Sequence, residues 1–193
     1  MRKKSYATVT LNEDLKMQAT TLFSRLAAGC GLVLLQLLAC AHADEIKRTS
    51  SPTSTAPISS IVSVPPASRI VFFSGNLADV ANPAAPKGTI EAYGNTNTQV
   101  HSILKKFEKL LAAEGLTLAD VVKVNVFMVG DPEMGGKMDF AGLNAAYSQY
   151  FGSAAQPNKP VRTALQVMAL PMPGGLVEIE MTAAKAPPSP PPK

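Results

Sequence analysis

The sequence contains no tryptophan, and it has only two cysteines and two histidines in 193 residues. Both cysteines (Cys30 and Cys40) and one histidine (His42) lie within the first 43 residues. With that leader set aside, residues 44–193 hold no cysteine and a single histidine, His101. Zinc fingers, iron–sulfur clusters, cysteine nucleophiles and disulfide scaffolds all need side chains that are missing there. No apolar run reaches the ~20 residues that span a bilayer comfortably. Charge of one sign is also scarce. The whole chain has 18 Lys and Arg against 14 Asp and Glu, for a net +4. Five of those bases (Arg2, Lys3, Lys4, Lys16, Arg25) and two of the acids (Glu13, Asp14) belong to the leader, which leaves 13 against 12 and a net +1. A nearly neutral remainder argues against a nucleic-acid partner, whose phosphates demand clustered bases.

The leader itself has a pattern. Arg25 precedes the uncharged apolar run Leu26 to Cys40, and Ala41-His42-Ala43 follows it before Asp44. Base, apolar stretch and small-x-small make a secretory signal peptide over residues 1–43, so the protein is expected to be exported to the periplasm. Met17 opens a more ordinary n-region than Met1 and is the alternative start. Leu37-Leu38-Ala39-Cys40 resembles a lipoprotein box, but cleavage after Ala43 is favoured over lipidation at Cys40. Only lipidation or an uncleaved leader would attach the protein to a membrane.

Residues 44–60 are rich in Ser, Thr and Pro and read as a flexible spacer. Residues 185–193 hold five prolines and read as an extended tail. The folded unit is therefore expected over 61–184, long enough for one domain with a core. Ile70 to Phe73 reads as a buried strand ending at Ser74-Gly75. Val100, Ile103, Leu104, Phe107, Leu110 and Leu111 recur at helical spacing, with Asn95 or Thr96 as cap and Gly115 as stop. Val121 to Val129 alternates as a strand, with the even-numbered residues on one face. Asp131 to Lys137 is a glycine-containing loop. Phe140, Leu143, Tyr147 and Phe151 mark a second helix closed by Gly152. Strands follow at Thr163 to Leu170 and Leu176 to Ala183. This order predicts an α+β sandwich, with an antiparallel or mixed sheet and two helices on one face. The other face is half apolar, which suggests self-association.

Candidates for chemistry are few. His101 lies on a helix with no nucleophile motif nearby, so it reads as a partly exposed helix residue. Lys105, Lys106 and Lys109 read as a solvated stripe. Asp139 and Glu133 have no histidine companion for a metal. Arg162 stands at a strand start after Pro160, where a guanidinium offers a rigid fork for a carboxylate. Glu178 and Glu180 alternate on one strand face. An Arg162–Glu178 salt bridge between neighbouring strands is the plain alternative to a site.

Together these segments resemble the RidA/YjgF family, also labelled L-PSP endoribonuclease. The resemblance is carried by Val71 to Asn76, Ala112-Ala113-Glu114-Gly115, Asp120 to Val124, Asp139-Phe140 with Asn144 and Tyr147, Pro160-Val161-Arg162-Thr163, and Val177 to Glu180. It implies a chorismate-mutase-like fold assembled as a homotrimer with sites between subunits. It also implies hydrolysis of enamines and imines such as 2-iminopropanoate and 2-iminobutanoate to 2-keto acids and ammonia, without metal or cofactor. Arg162 matches the residue that grips the substrate carboxylate, and Glu178 the acid that positions water. Ser74, Asn144 and Thr163 match positions lining the pocket.

The chain departs from the family pattern in four places. Val64 to Ser68 replaces the usual Pro-Tyr segment, so a pocket tyrosine is missing. Ala164 stands where Cys is common, and Asn76 replaces Gln. The loop at 131–137 is longer than usual. Two other readings stay open: a non-catalytic trimeric carboxylate-binding protein, and, less favoured, an endoribonuclease.

Overall fold

The computed structural model describes residues 45–188. The expected signal segment, with Cys40 and its cleavage site, and the end of the proline-rich tail lie outside the described residues. No helix among the described residues is long and apolar enough to cross a membrane.

Eleven short and long elements build the domain. They are β1 (Lys47–Thr49), β2 (Ile61–Ser63), β3 (Arg69–Leu77), the one-turn α1 (Ile90–Tyr93), α2 (Thr96–Ala113), a 3-10 turn (Leu118–Asp120), β4 (Val121–Met128), a second 3-10 turn (Pro132–Met134), α3 (Phe140–Tyr147), β5 (Val161–Gln166) and β6 (Val177–Lys185). The main sheet has the order β3-β6-β4-β5. β6 pairs antiparallel with both β3 and β4, while β4 and β5 run parallel. The sheet is therefore mixed and the domain α+β, as the element order predicts.

α2 forms where the 3.6-residue repeat places it. The Asn95 side chain accepts from Thr98 N at 3.1 Å and starts the helix. Gly115, at φ +67°, takes the left-handed turn beyond its end. Val100, Ile103, Leu104, Phe107 and Leu111 are fully buried, each worth roughly 1.5–3 kcal/mol of apolar transfer. Leu110, read on the same stripe, is 41 % exposed. In β4 the alternation is as expected: Val122, Val124, Val126 and Met128 are buried and Lys123 is exposed. Both long helices contribute to the same core as these strand residues. The opposite sheet face carries Phe72, 80 % exposed, together with Leu165.

Five sequence readings differ from the structure. Ile70 to Phe73 is not a buried strand ending at Ser74: β3 runs from Arg69 to Leu77 and alternates, with Ile70 and Phe72 exposed. Residues 47–60 are not a flexible spacer. β1 pairs antiparallel with β2, and Ser59, only 4 % exposed, donates its N–H to Pro160 O (2.9 Å) and its Oγ to Lys159 O (2.6 Å). Arg48 Nη2 donates to the carbonyls of Ala119 and Val121. A polar segment is thus held by backbone acceptors far along the chain. The second helix stops at Tyr147, and a turn carries Phe151 into the core. β5 starts at Val161 and ends at Gln166, ahead of Pro171 and Pro173, which cannot donate to a ladder. β6 extends to Lys185, a residue expected in the tail.

Candidate functional site

Arg162 enters on β5, an edge strand, opposite Val124 in the parallel ladder. Its side chain therefore shares the helix-covered face with the core. It meets α3, whose start is fixed by Asp139: the carboxylate accepts from Gly142 N at 2.8 Å. A Cβ on residue 142 would overlap that carboxylate, so glycine keeps the cap in place. The helix then presents Phe140, Asn144 and Tyr147 at spacings of four and three, toward Arg162. Arg162 Nη2 donates to Asn144 Oδ1 at 2.8 Å. The guanidinium carbon lies 4.5 Å from the Tyr147 ring centre and 5.6 Å from that of Phe140.

The guanidinium is otherwise unsatisfied. Nη1 is buried and has no hydrogen-bond partner. Among the described residues Arg162 makes no ion pair. Burial pulls its pKa below the ordinary arginine value, partly offset by Tyr147. A buried cation without a carboxylate is costly, and a bound anion would relieve it. The Tyr147 hydroxyl is also buried without a partner, and burial pushes its pKa well above the tyrosine range.

Glu178 belongs to the other face. It stands opposite Leu77 on β3 and Phe127 on β4. Its carboxylate lies over Gly75, at an irregularity in the β3 register between Phe73 and Asn76. Ser74 is exposed there, and its carbonyl accepts from Asn76 Nδ2 at 3.0 Å. Thr163 is exposed on the same face as Glu178, opposite Asn125, which donates to Glu180 Oε1 at 2.5 Å.

The five predicted residues thus fall into two groups. Arg162 and Asn144 are joined on the helix side. Glu178, Ser74 and Thr163 lie on the open side. The expected alternative of an Arg162–Glu178 salt bridge does not form, because β4 separates β5 from β6 and the two side chains leave opposite faces. One chain offers a carboxylate grip and a carboxylate base in separate places.

Two other sequence candidates, His101 and Lys106, have structural duties. His101 Nδ1 lies 3.0 Å from Tyr150 Oη. Lys106 binds Asp79 at 2.7 Å and the Leu77 carbonyl at 2.8 Å. A cavity of about 590 Å³ beyond the end of α2, lined in part by Glu108, Leu118, Tyr150 and Gln156, includes none of the five predicted residues. Sequence reasoning missed Tyr147 and Phe140 as neighbours of Arg162. Their spacing from Asn144 along one helix face was the available signal.

Comparison with known proteins defines the class. A solved structure from Yersinia pestis, described as a protein of unknown function of the conserved Rid family, shares the fold with a TM-score of 0.54 at 24 % identity, covering 72 % of this chain and 98 % of that one. A RutC family protein of Pyrococcus horikoshii is 32 % identical over 136 residues, 70 % of this chain and 93 % of the relative. Protein DfrA of Myxococcus xanthus is 31 % identical over 142 residues, 74 % of this chain and 92 % of the relative. The family model described as Endoribonuclease L-PSP matches residues 48–185. The chain belongs to this family, known also as RidA/YjgF.

Proposed function

We propose that this chain hydrolyses reactive enamine and imine intermediates of the 2-iminobutanoate type to 2-keto acids and ammonia. The observation that carries the reading is Arg162: a half-buried guanidinium, aimed by Asn144, whose buried Nη1 is unpaired and which has no carboxylate partner among the described residues. A substrate carboxylate supplies the missing acceptor.

The reaction asks little of the protein. An enamine first tautomerises to the imine, whose carbon is electrophilic. Water adds to that carbon, one proton moves to nitrogen, and the tetrahedral carbinolamine collapses to the keto acid with loss of ammonia. Orientation and modest acid–base help are enough. Arg162 holds the carboxylate, and Glu178 aims the water and carries its proton. Ser74, next to the Gly75 that the Glu178 carboxylate overlies, and Thr163, two strands away on the same open face, would line the pocket.

Because Arg162 and Glu178 leave opposite faces, the working site joins Arg162 of one copy to Glu178 of the next, in a homotrimer. The half-apolar open face around Phe72 and Leu165 supports such association. The same division supports a second reading, since Arg162 and Asn144 alone would make a carboxylate-binding protein without catalysis.

The test generates 2-iminobutanoate with an amino-acid oxidase and follows its loss. The expected result is acceleration by the wild-type protein and none by Arg162→Ala, with the oligomer unchanged. Keto-acid binding without acceleration would select the second reading instead.

A further inference from the structure

Among the described residues the Arg162 side chain has one hydrogen bond, to Asn144, and a single bond leaves a guanidinium free to swing. Two rings, of Phe140 and Tyr147, also lie near its guanidinium. Tyr147 lies 4.5 Å below the guanidinium carbon and is fully buried, stacked against Phe151 at 4.7 Å between ring centres. Phe151 in turn is fully buried, so the Tyr147 ring cannot move away. A cation over an aromatic face is attracted by the ring quadrupole, and more strongly where both are out of water.

The choice of tyrosine at 147 is informative. Its hydroxyl is buried and bonds to nothing, which costs free energy that phenylalanine would avoid. Packing alone therefore favours Phe. The phenol ring faces the Arg162 cation.

We propose that Tyr147 is a positioning residue: its ring is a platform that fixes the guanidinium plane of Arg162 so that Nη1 meets a ligand carboxylate. The inference rests on the reading of Arg162 as a carboxylate grip. It adds the residue that orients that grip, which the sequence shows only as a core position.

The test uses shape-conserving replacements. Tyr147→Phe, then 4-fluoro- and 3,4,5-trifluorophenylalanine at 147, are made in the full chain. Fluorine drains the ring quadrupole with little change in volume. The probe is 2-oxobutanoate, with affinity measured by calorimetry so that the readout does not depend on turnover. Kd should rise stepwise with fluorine number, by roughly threefold to tenfold from Phe to trifluorophenylalanine, while the melting temperature stays level across those three variants. Where imine hydrolysis is measurable, KM should rise with kcat unchanged, because the carboxylate is held equally in ground and transition states. A flat Kd across the series, with binding still lost in Arg162→Ala, overturns this inference and leaves the carboxylate grip standing. Absence of any Arg162-dependent binding overturns both.

Discussion

The Glu178 carboxylate rests on the bare Cα of Gly75, so that any side chain at 75 would occupy its place. A residue on β3 thereby sets where a residue on β6 points its acid. Gly75→Ala should push the carboxylate aside and lower kcat by about 10²-fold, the scale expected for a misplacement near 1 Å. KM should barely move, since Arg162 lies on the other face. Steady-state kinetics on 2-iminobutanoate check this, and an unchanged kcat would remove Glu178 from the reaction.

Opposite faces for Arg162 and Glu178 predict complementation. Arg162→Ala and Glu178→Gln should each be inactive alone. Unfolded together and refolded at equal amounts, they should regain roughly a quarter of wild-type activity, because each mixed trimer contains one intact pair. Recovery of none would mean that both residues serve the site from the same chain, or that no trimer forms.

The unpaired guanidinium also predicts a trade between stability and binding. Arg162→Met should leave the melting temperature unchanged or raise it, since it removes a half-buried cation that has no partner ion among the described residues. Binding of 2-oxobutanoate should disappear. In the wild type the same ligand at about 100 times its Kd should add about 2.7 kcal/mol, or roughly 5–10 °C in Tm. Thermal scans with and without ligand measure both effects.

Alkaline pH should weaken the fold through Tyr147. Its folded pKa is raised by burial, so the folded state keeps a proton that the unfolded chain gives up near pH 10. The contribution is fully present below about pH 10 and shrinks as pH rises beyond it. Tyr150 is shifted in the same direction by burial and by Glu108. Denaturant midpoints between pH 8 and 11 should fall for the wild type, and fall less steeply for Tyr147→Phe.

Much of this architecture was legible in the chain. The spacing of Val100, Ile103, Leu104, Phe107 and Leu111 gives α2 its buried face, and the alternation from Val122 to Met128 gives β4 its sides. Other features depend on partners far away in sequence. Gln99 reads as a polar residue on a helix, yet it is fully buried, bonding the carbonyls of Gly94 and Gly174 and the N–H of Leu176. The parity of Arg162 within β5 and of Glu178 within β6 is readable. Which strand lies between them is not, and that intervening β4 decides that they diverge. Tyr147 fits the apolar repeat, and only its three-residue spacing from Asn144 hints that it faces the same cation.

Ser59 holds the backbone of Lys159 and Pro160, two residues ahead of Arg162. The stretch that composition marks as a tether is therefore a brace behind the carboxylate grip. A chain shortened to begin at Ile61 would lose that brace along with β1, and Arg162 would enter its strand from an unsupported end. Variation in the Ser- and Thr-rich segment between relatives is then expected to tune ligand affinity from behind the site, without touching the ligand.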